Sequence, residues 1–440
     1  MSLSKLKRLA ERLEGQDGGL VEVTGQVIEI SSASFRIDGL TPFVRLGDRI
    51  EIVGTQAGMG EVVRIDAQGA VVKPFANRVE IGLGARARLA HRVNLAPTAA
   101  WRGRIIDALG LPLDGRGPLP QGATPMPIDA EPPNAMRRGR VTEKIATGIR
   151  AIDVFTPLCA GQRLGVFAGS GVGKSTLLSM LARAPGFDTV VVALVGERGR
   201  ELREFIEEAL GPARNSAVVV AATSDESAMR RRLAPRTAMA IAEYFRDQGQ
   251  SVLLIIDSVT RYAHAARDVA LAAGEPAVAR GYPPSVFSDL PKLLERAGPG
   301  LDGGGAITGV FSVLVDGDDH NDPVADSIRG TLDGHVVLSR AIAEQGRYPA
   351  IDILGSISRL SHHVWSPEQR ALVMRLRTLV ARFEDTRDLR LMGGYQPGAD
   401  SELDSAVAAV PKLYNALSQL PHSPSSEDGF RDLAEALRAQ

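Results

Sequence analysis

Two textures of hydrophobic spacing divide the chain. From about residue 20 to 95, "LVEVTGQVIEI", "SFRIDGL", "DRIEIVG", "GEVVRIDAQGAVVKPF" and "NRVEIGLG" alternate or cluster β-branched residues between Gly, Asp and Asn turns. Short, evenly spaced runs of this kind predict antiparallel strands in a small β-barrel or sandwich. After residue 150 the apolar runs become continuous: "RLGVFAG", "TVVVALVG", "SAVVVAAT", "SVLLIID", "AITGVFSVLV" and "HVVLS". Helical stretches lie between several of them, among them "GKSTLLSMLARA", "GRELREFIEEAL" and "RTAMAIAEYFRDQG". Apolar strands alternating with helices predict a parallel sheet covered on both faces.

The two ends of the chain read as helical. Leu3, Leu6, Leu9 and Leu13 recur at helical spacing among Lys5, Lys7, Arg8 and Arg12, a short amphipathic helix ending at Gly15. Alone it is marginal, so it is expected to dock, on its own next domain or on a partner. From 366, "SPEQRALVMRLRTLVARFEDTRDL" opens with Ser366, Pro367 and Glu368, favourable helix-start chemistry. "HSPSSEDG" at 422–429 predicts a loop before a short last helix, and Pro- and Gly-rich 111–139 an extended crossing segment. There is no internal repeat.

Composition narrows the function classes. The 440 residues carry 51 basic and 52 acidic side chains, so the broad basic field of a general nucleic-acid binder is missing. The barrel stretch has only Phe35, Phe43 and Phe75, scattered, where an oligonucleotide-binding barrel would cluster aromatics for stacking. A single cysteine, Cys159, forbids an intrachain disulfide and reads as a small buried apolar residue in a reducing compartment. No run is long enough for a membrane span, and the N-terminus lacks the apolar core of a secretory signal.

The strongest chemical signal is "RLGVFAGSGVGKSTLL", 163–178: a strand, a Gly-rich turn, then a helix start. Gly169, Gly171 and Gly173 let successive backbone N–H groups face one anion, and the helix N-terminus adds its dipole. Lys174 can reach β- and γ-phosphates and Ser175 can ligate Mg²⁺. The segment Gly169, Ser170, Gly171, Val172, Gly173, Lys174, Ser175 and Thr176 is therefore the predicted nucleotide-binding loop. Its only departure from the general pattern is Ala168 at the first position.

Acids follow on neighbouring strands. "SVLLIIDSVTR" ends a buried strand in Asp257, placed to hold Mg²⁺ through water. "VVVALVGERGRE" releases Glu197 at a strand's C-terminal end, where chemistry gathers in open α/β sheets. Two readings of Glu197 stay open locally: a group polarising the attacking water, or a surface glutamate in a charged loop with Arg198, Arg200 and Glu201. In "VDGDDHNDPVAD" the acids Asp318, Asp319, Asp322 and Asp326 with His320 are too loosely spaced for a tight metal cage. "MRRRLAPR", 229–236, reads as a charged helix face or subunit contact rather than a nucleic-acid site. "RYPAIDILGSISR", 347–359, carries Tyr348 and Arg359; a ring can stack on a base and a guanidinium can bind phosphate.

"AGSGVGKST", "GERGRE", "AEYFRDQG", "DSVTRYA", "LAAGEPAVARGYPPSVFSDLPKLLERAG" and "YPAIDILGSISR", in this order, resemble the type III secretion ATPases, relatives of rotary ATP synthase catalytic subunits. Within that family the resemblance is greatest to the flagellar protein-export branch, to which "RGYPPSVF" also points. It implies an α/β, RecA-like P-loop NTPase core with an N-terminal β-barrel and a C-terminal helical domain. The implied division is 1–18 a partner-binding helix, 19–95 the barrel, 96–365 the ATPase domain and 366–440 the helical domain. The implied ligands are ATP and Mg²⁺. Lys174 and Ser175 would bind phosphate and Mg²⁺, Asp257 would support Mg²⁺ through water, and Glu197 would activate water. Arg198 and Arg261 would lie near the γ-phosphate, Tyr348 would stack on adenine, and Arg359 would reach the neighbouring subunit's site. The loop "GEPAVARGYPPS" would face a central pore.

The resemblance further implies a cytoplasmic homohexamer, peripheral at the inner membrane. Its partners would be a stator or regulator protein bound through residues 2–14, export-gate components, a central stalk protein, and export substrates with their chaperones, with no nucleic acid. Hydrolysis would drive export by unloading and unfolding substrates at the gate. Because one chain carries both Glu197 and Arg359, a homo-oligomer suffices to build every site. The alternatives are a virulence-type secretion ATPase, a rotary synthase catalytic subunit, which would usually lack such a first helix, and a hexameric RNA translocase, which needs the aromatic cluster missing here. Deleting residues 2–14 should leave hydrolysis largely intact and weaken capture of the stator partner. A pull-down from the source cell checks this, and unaltered capture would assign the helix to the fold instead.

Overall fold

The computed structural model describes residues 23–438, other than 56–57, 79, 91–93, 302–303, 316–321 and 424–427. The helix expected over residues 2–14 lies outside the described residues, as do Asp318, Asp319 and His320 of the acidic loop. The rest forms two compact units, one built on the barrel with Ser227–Met229 and Asp268–Pro276, the other on the sheet and the helices around it.

The alternating stretch closes into a barrel of strands β1 (Thr24–Ile30), β2 (Phe35–Asp38), β3 (Arg49–Ile52), β4 (Met59–Asp66), β5 (Gly69–Pro74) and β6 (Arg86–Ala90), in the order β1-β2-β5-β4-β3-β6. Val27, Phe35, Ile37, Ile50, Ile52, Val62 and Val72 fill its core. The period-two pattern produces this because successive side chains point to opposite faces, so one apolar set closes inward. Phe35 and Phe75 are buried and Phe43 is exposed, so the three rings do not form a stacking platform.

The second unit holds an eight-strand path: β7 (Ile105–Asp107), β8 (Arg163–Ala168), β9 (Thr189–Val195), β10 (Ala217–Ala222), β11 (Ser251–Asp257), β12 (Ala306–Leu314), β13 (Gly334–Leu338) and β14 (Ile351–Ser358). Their order across the sheet is β14-β13-β8-β12-β11-β9-β10-β7. Neighbours pair in parallel from β13 to β7. Along this path β14, at one edge, runs antiparallel to its neighbour β13, and off it the short strand Gly298–Pro299 pairs antiparallel with β12. β9 and β10 are buried at every residue, as continuous apolar runs require when helices cover both faces.

The C-terminal helices Pro367–Asp385, Ser401–Leu417 and Gly429–Arg438 share the sheet's core through Val373, Val380, Val410, Leu413 and Leu433. Ser366 starts the first of them with a capping box: its hydroxyl accepts from Gln369 N–H (3.2 Å), and Gln369 Oε1 accepts from Ser366 N–H (3.0 Å).

Local readings are refined in three places. "GRELREFIEEAL" forms an α-helix only over Gly199–Glu204 and continues as a π-turn over Phe205–Ala209, in which Leu210 N–H donates to Phe205 O five residues back. The basic run 229–236 is engaged within the chain. Arg230 pairs with Glu226 and Asp107, Arg231 donates to Glu226 O, and Arg236 bridges Asp129 and Asp289. Asp322 caps the helix Pro323–Thr331, its Oδ1 accepting from Val324 and Ala325 N–H (2.9 and 3.0 Å). Cys159 is fully buried, and burial pushes its thiol up to about 11, which makes it inert at neutral pH.

One ion pair is deeply buried. Arg296 grips Glu243 with Nε (2.9 Å) and Nη2 (2.6 Å) and donates Nη1 to Ile128 O (2.6 Å), with both side chains 4% exposed. Removing one partner strands the other as a buried charge. Arg296→Ala should therefore destabilise the protein by about 3–5 kcal/mol, read as a drop in the chemical unfolding midpoint. A shift below about 1 kcal/mol would mean that water relieves Glu243.

Candidate active site

β8 runs straight into the phosphate loop. Its buried residues end at Ala168, the turn follows, and Gly173 caps the helix Lys174–Ala182. Gly171 (φ +77°) and Gly173 (φ +92°) adopt left-handed conformations that a side chain would strain. At Gly173 proximity adds to conformation, because a Cβ there would lie 3.4 Å from the Tyr348 ring. Tyr348 therefore stands beside the start of the phosphate-loop helix, 43% exposed.

Parallel register brings the acids to the same edge. Leu194 on β9 pairs with Asp257, the last residue of β11, so the turn that releases Glu197 starts beside that carboxylate. Gly196 (φ +69°) makes the turn, and the stem of Arg261 packs over it, 3.2–3.4 Å from where a Cβ would sit. The Lys174 ammonium pairs with the Asp257 carboxylate and lies 3.7 Å from Glu197 Oε1. Ser312 on β12 donates its hydroxyl to Asp257 Oδ1 (2.5 Å). Arg198, at the N-cap of the helix Gly199–Glu204, is exposed, and so is Arg261.

Glu197 is not a surface glutamate. Its side chain is 19% exposed, and Oε1 is buried without a hydrogen-bond partner. Burial raises its carboxyl from the ordinary 4.5 to about 7, with the Lys174 ammonium opposing and the Asp257 and Glu201 carboxylates adding. Ser175, Thr176, Glu197, Glu201, Asp257 and His422 line one cavity of about 350 Å³. On its far side Arg183 Nη1 lies 2.7 Å from His422 Nδ1; the guanidinium has only donors, so Nδ1 accepts.

Arg359 lies elsewhere. Ala168, at the phosphate-loop end of β8, pairs with Leu338, which pairs with Ile351. Leu164, at the other end of β8, pairs with Gly334, which pairs with Ser358. Because β14 is reversed, Tyr348 precedes its loop-side end and Arg359 follows its far end. The partners of its two ends, Leu338 and Gly334 on β13, are only four strand steps apart, about 13 Å at a typical rise per residue, because β14 bulges between Asp352 and Ile357. The exposed Arg359 side chain thus starts at the end of the sheet opposite this chain's own phosphate loop.

Sequence reasoning missed four residues here. Ser312, a lone hydroxyl in the apolar run "AITGVFSVLV", was the readable one, since a buried hydroxyl needs a partner. Glu201 lay in view but without a role. Arg183 and His422 meet across 239 positions and left no local signal.

Any bound phosphate would meet the Lys174 ammonium and the loop's backbone N–H groups, and a divalent cation would meet the hard oxygens of Ser175 and Asp257. A sheet presenting both at the C-terminal ends of its parallel strands falls in the P-loop nucleotide-binding class. Residues 148–358 match the ATP synthase alpha/beta family, nucleotide-binding domain, and residues 365–438 the T3SS EscN ATPase C-terminal domain. The flagellum-specific ATP synthase of Rhizobium meliloti is 55% identical over 439 residues, covering 100% of this chain and 94% of that protein. The SPI-2 type 3 secretion system ATPase of Salmonella typhimurium is 47% identical over 82% of this chain and 83% of its own length. The structure of the assembled ATPase EscN from the enteropathogenic E. coli type III secretion system superposes with a TM-score of 0.87 at 40% identity, covering 94% of this chain and 100% of that one. EscN in complex with its central stalk EscO gives a TM-score of 0.85. The chain belongs to the family of flagellum-specific and type III secretion ATPases.

The raised Glu197 carboxyl has a stability signature. A carboxyl whose folded value lies above its unfolded one holds its proton longer when folded, so stability is lost as pH rises from about 4.5 through about 7. In the nucleotide-free protein, the advantage of Glu197→Gln over wild type in unfolding midpoint should grow across that window and then level. A difference independent of pH would show that Glu197 is ionised throughout.

Proposed function

We propose that this chain is a Mg²⁺-dependent ATPase that works as a homohexameric ring and drives type III export of flagellar proteins. The observation that carries the reading is the convergence of Ser175, Asp257 and the proton-poised Glu197 on one cavity, with the Lys174 ammonium paired to Asp257 beside it. Lys174 exchanges its Asp257 partner for the β- and γ-phosphates, which the Gly169–Thr176 loop cradles. Ser175, with Asp257 acting through water, would hold Mg²⁺, which when bound neutralises phosphate charge. Glu197 takes the proton of the attacking water as the bond between the γ-phosphorus and the ADP oxygen breaks. A carboxyl near neutrality suits that task, because it must accept a proton and release it at working pH. Arg198 and Arg261 meet the charge of the γ-phosphate, and Tyr348 stacks on the adenine.

Arg359 serves the neighbouring subunit. It stands at the wrong end of the sheet for its own site, and a ring of identical chains brings that end to the next chain's phosphates. Export coupling follows from the flagellum-specific relative, and a central stalk partner from the EscN–EscO complex. Residues 2–14 would take the stator or regulator protein. Export-gate components, substrates and their chaperones complete the partners, at a cytoplasmic position beside the inner-membrane apparatus. Among the described residues no helix is long and apolar enough to cross a membrane. The Salmonella relative makes a virulence-type system the second reading.

Subunit mixing tests the ring. Arg359→Ala should lower kcat by about 10³–10⁵ with nucleotide binding kept. Lys174→Ala should abolish turnover. Mixed and allowed to exchange, the two inactive proteins should recover turnover, because an intact pocket then meets an intact arginine. No recovery at any ratio would mean that Arg359 acts within its own chain or not at all.

A further inference from the structure

The end of the sheet that carries Arg359 is held by buried polar groups for which the hydrolysis chemistry has no use. Gln162, at the turn leading into β8, is fully buried. Its Oε1 accepts from Cys159 N–H (2.9 Å), and its Nε2 donates to Ser358 Oγ (3.2 Å) and lies 3.5 Å from Asp333 O. Ser358 is 8% exposed, and its hydroxyl donates onward to Pro157 O (2.9 Å). The next residue is Arg359, whose own N–H donates to Asp333 O (2.9 Å). The Asp333 carboxylate accepts from Arg163 N–H (3.0 Å), Nε (3.1 Å) and Nη2 (3.1 Å).

Both attachments therefore lead to one place. Ser358 is tied to Gln162, and Arg359 is tied through Asp333 to Arg163. The approach is close enough to require glycine at 334, since a Cβ there would lie 2.5 Å from Ile357 O and 3.3 Å from Gln162 Nε2. A buried amide costs free energy unless it is hydrogen-bonded, and an apolar side chain of similar size would fill the space without that cost. What the amide adds is direction. It fixes the lateral position of one strand end against another.

We propose that Gln162 and Ser358 are positioning residues for Arg359, fixing the backbone from which its guanidinium reaches the next subunit. The proposal rests on the reading of Arg359 as acting on a neighbour's phosphate. A long side chain can find a remote phosphate reproducibly only if its base is fixed, and a misplacement of about 1 Å can cost roughly a hundredfold in rate. The fully exposed alternative, a strand end tied down by solvent-facing bonds, would let that base wander. The same strand, β8, carries this clamp at one end and delivers its own chain's phosphate loop at the other.

A double-mutant cycle tests it, with kcat, KM and the affinity for a fluorescent ATP analogue measured on Ser358→Ala, Arg359→Ala and the double variant. Ser358→Ala should lower kcat about tenfold or more, with KM and analogue affinity within about twofold of wild type. In the Arg359→Ala background it should lower kcat no further, because the group it positions is gone. Mixed with Lys174→Ala it should recover turnover, as Arg359→Ala does, and Ser358→Thr should keep most of the wild-type rate. Gln162→Met is the second variant, read by the same cycle. Wild-type kcat in Ser358→Ala would overturn the proposal. So would a loss that adds in full to that of Arg359→Ala, a parallel fall in analogue affinity, or failure of both Ser358→Ala and Gln162→Met to fold. Wild-type turnover in Arg359→Ala would instead overturn the reading of Arg359 itself.

Discussion

The reversed pairing of β14 against β13 is the constraint on which the rest depends. A parallel strand would have delivered both its functional ends in the same sense as its neighbours. Run backwards, β14 begins beside the phosphate loop and ends at the opposite edge of the sheet. Tyr348 and Arg359 thereby flank opposite ends of the strand, whose paired ends lie four β13 steps apart, although only eleven positions part them in the sequence. Although β14 bulges between Asp352 and Ile357, its pairing with β13 at both ends holds the two apart. One segment in the sequence thus becomes two separate places in the fold.

The charges divide into permanent and exchangeable pairs. Arg296 and Glu243 satisfy each other in a bidentate arrangement with both side chains 4% exposed. Lys174 pairs with Asp257 at the wall of a cavity, with Glu197 3.7 Å away and one of its oxygens unpaired. Two carboxylates around one ammonium leave a surplus of negative charge, which burial relieves by raising Glu197. A polyphosphate that draws the ammonium away increases that surplus. The proton affinity of Glu197 is thus coupled to what Lys174 holds, through charge alone.

Much of this was legible in the sequence, for physical reasons. The phosphate loop needs left-handed glycines and a helix start in a fixed order, so spacing reveals it. Asp257 ends an apolar strand, and a buried strand that ends in a carboxylate announces an edge. Alternation between turns gave the barrel, because period two has one meaning in a strand. Other features hide in pairing. Glu197 stayed between two readings because burial comes from residues far along the chain. The π-turn at Phe205 looks like ordinary helix, since one extra residue per turn leaves no mark in composition. Arg183 with His422, and Gln162 with Ser358, are contacts between distant segments that no local window contains. The basic run 229–236 shows the converse: its partners Asp107, Asp129 and Asp289 lie too far along the chain to be seen as neutralising it.

The two ends of β14 are anchored to different bodies, and this decides how a local shift can travel. At the loop-side end, Tyr348 O accepts from Gln419 N–H (2.8 Å), and Gln419 is in turn held by Arg150 N–H and Gly148 O (both 2.8 Å). Beside it the Arg347 guanidinium lies over the Tyr414 ring at 3.7 Å, and Tyr414 donates its hydroxyl to Glu384 (2.5 Å). That end is thus tied to the C-terminal helices. The far end is tied to the start of β8 through Gln162 and Arg163. A shift of the Tyr348 ring pulls first on the C-terminal helices, because their bonds lie nearest. To move Arg359 the same shift must pass along β14, whose pairing with β13 is interrupted by a bulge between Asp352 and Ile357, or through β8, which is paired on both sides without a register shift. The bulge can absorb displacement, whereas β8 has none and passes it on to the end held by Gln162 and Arg163.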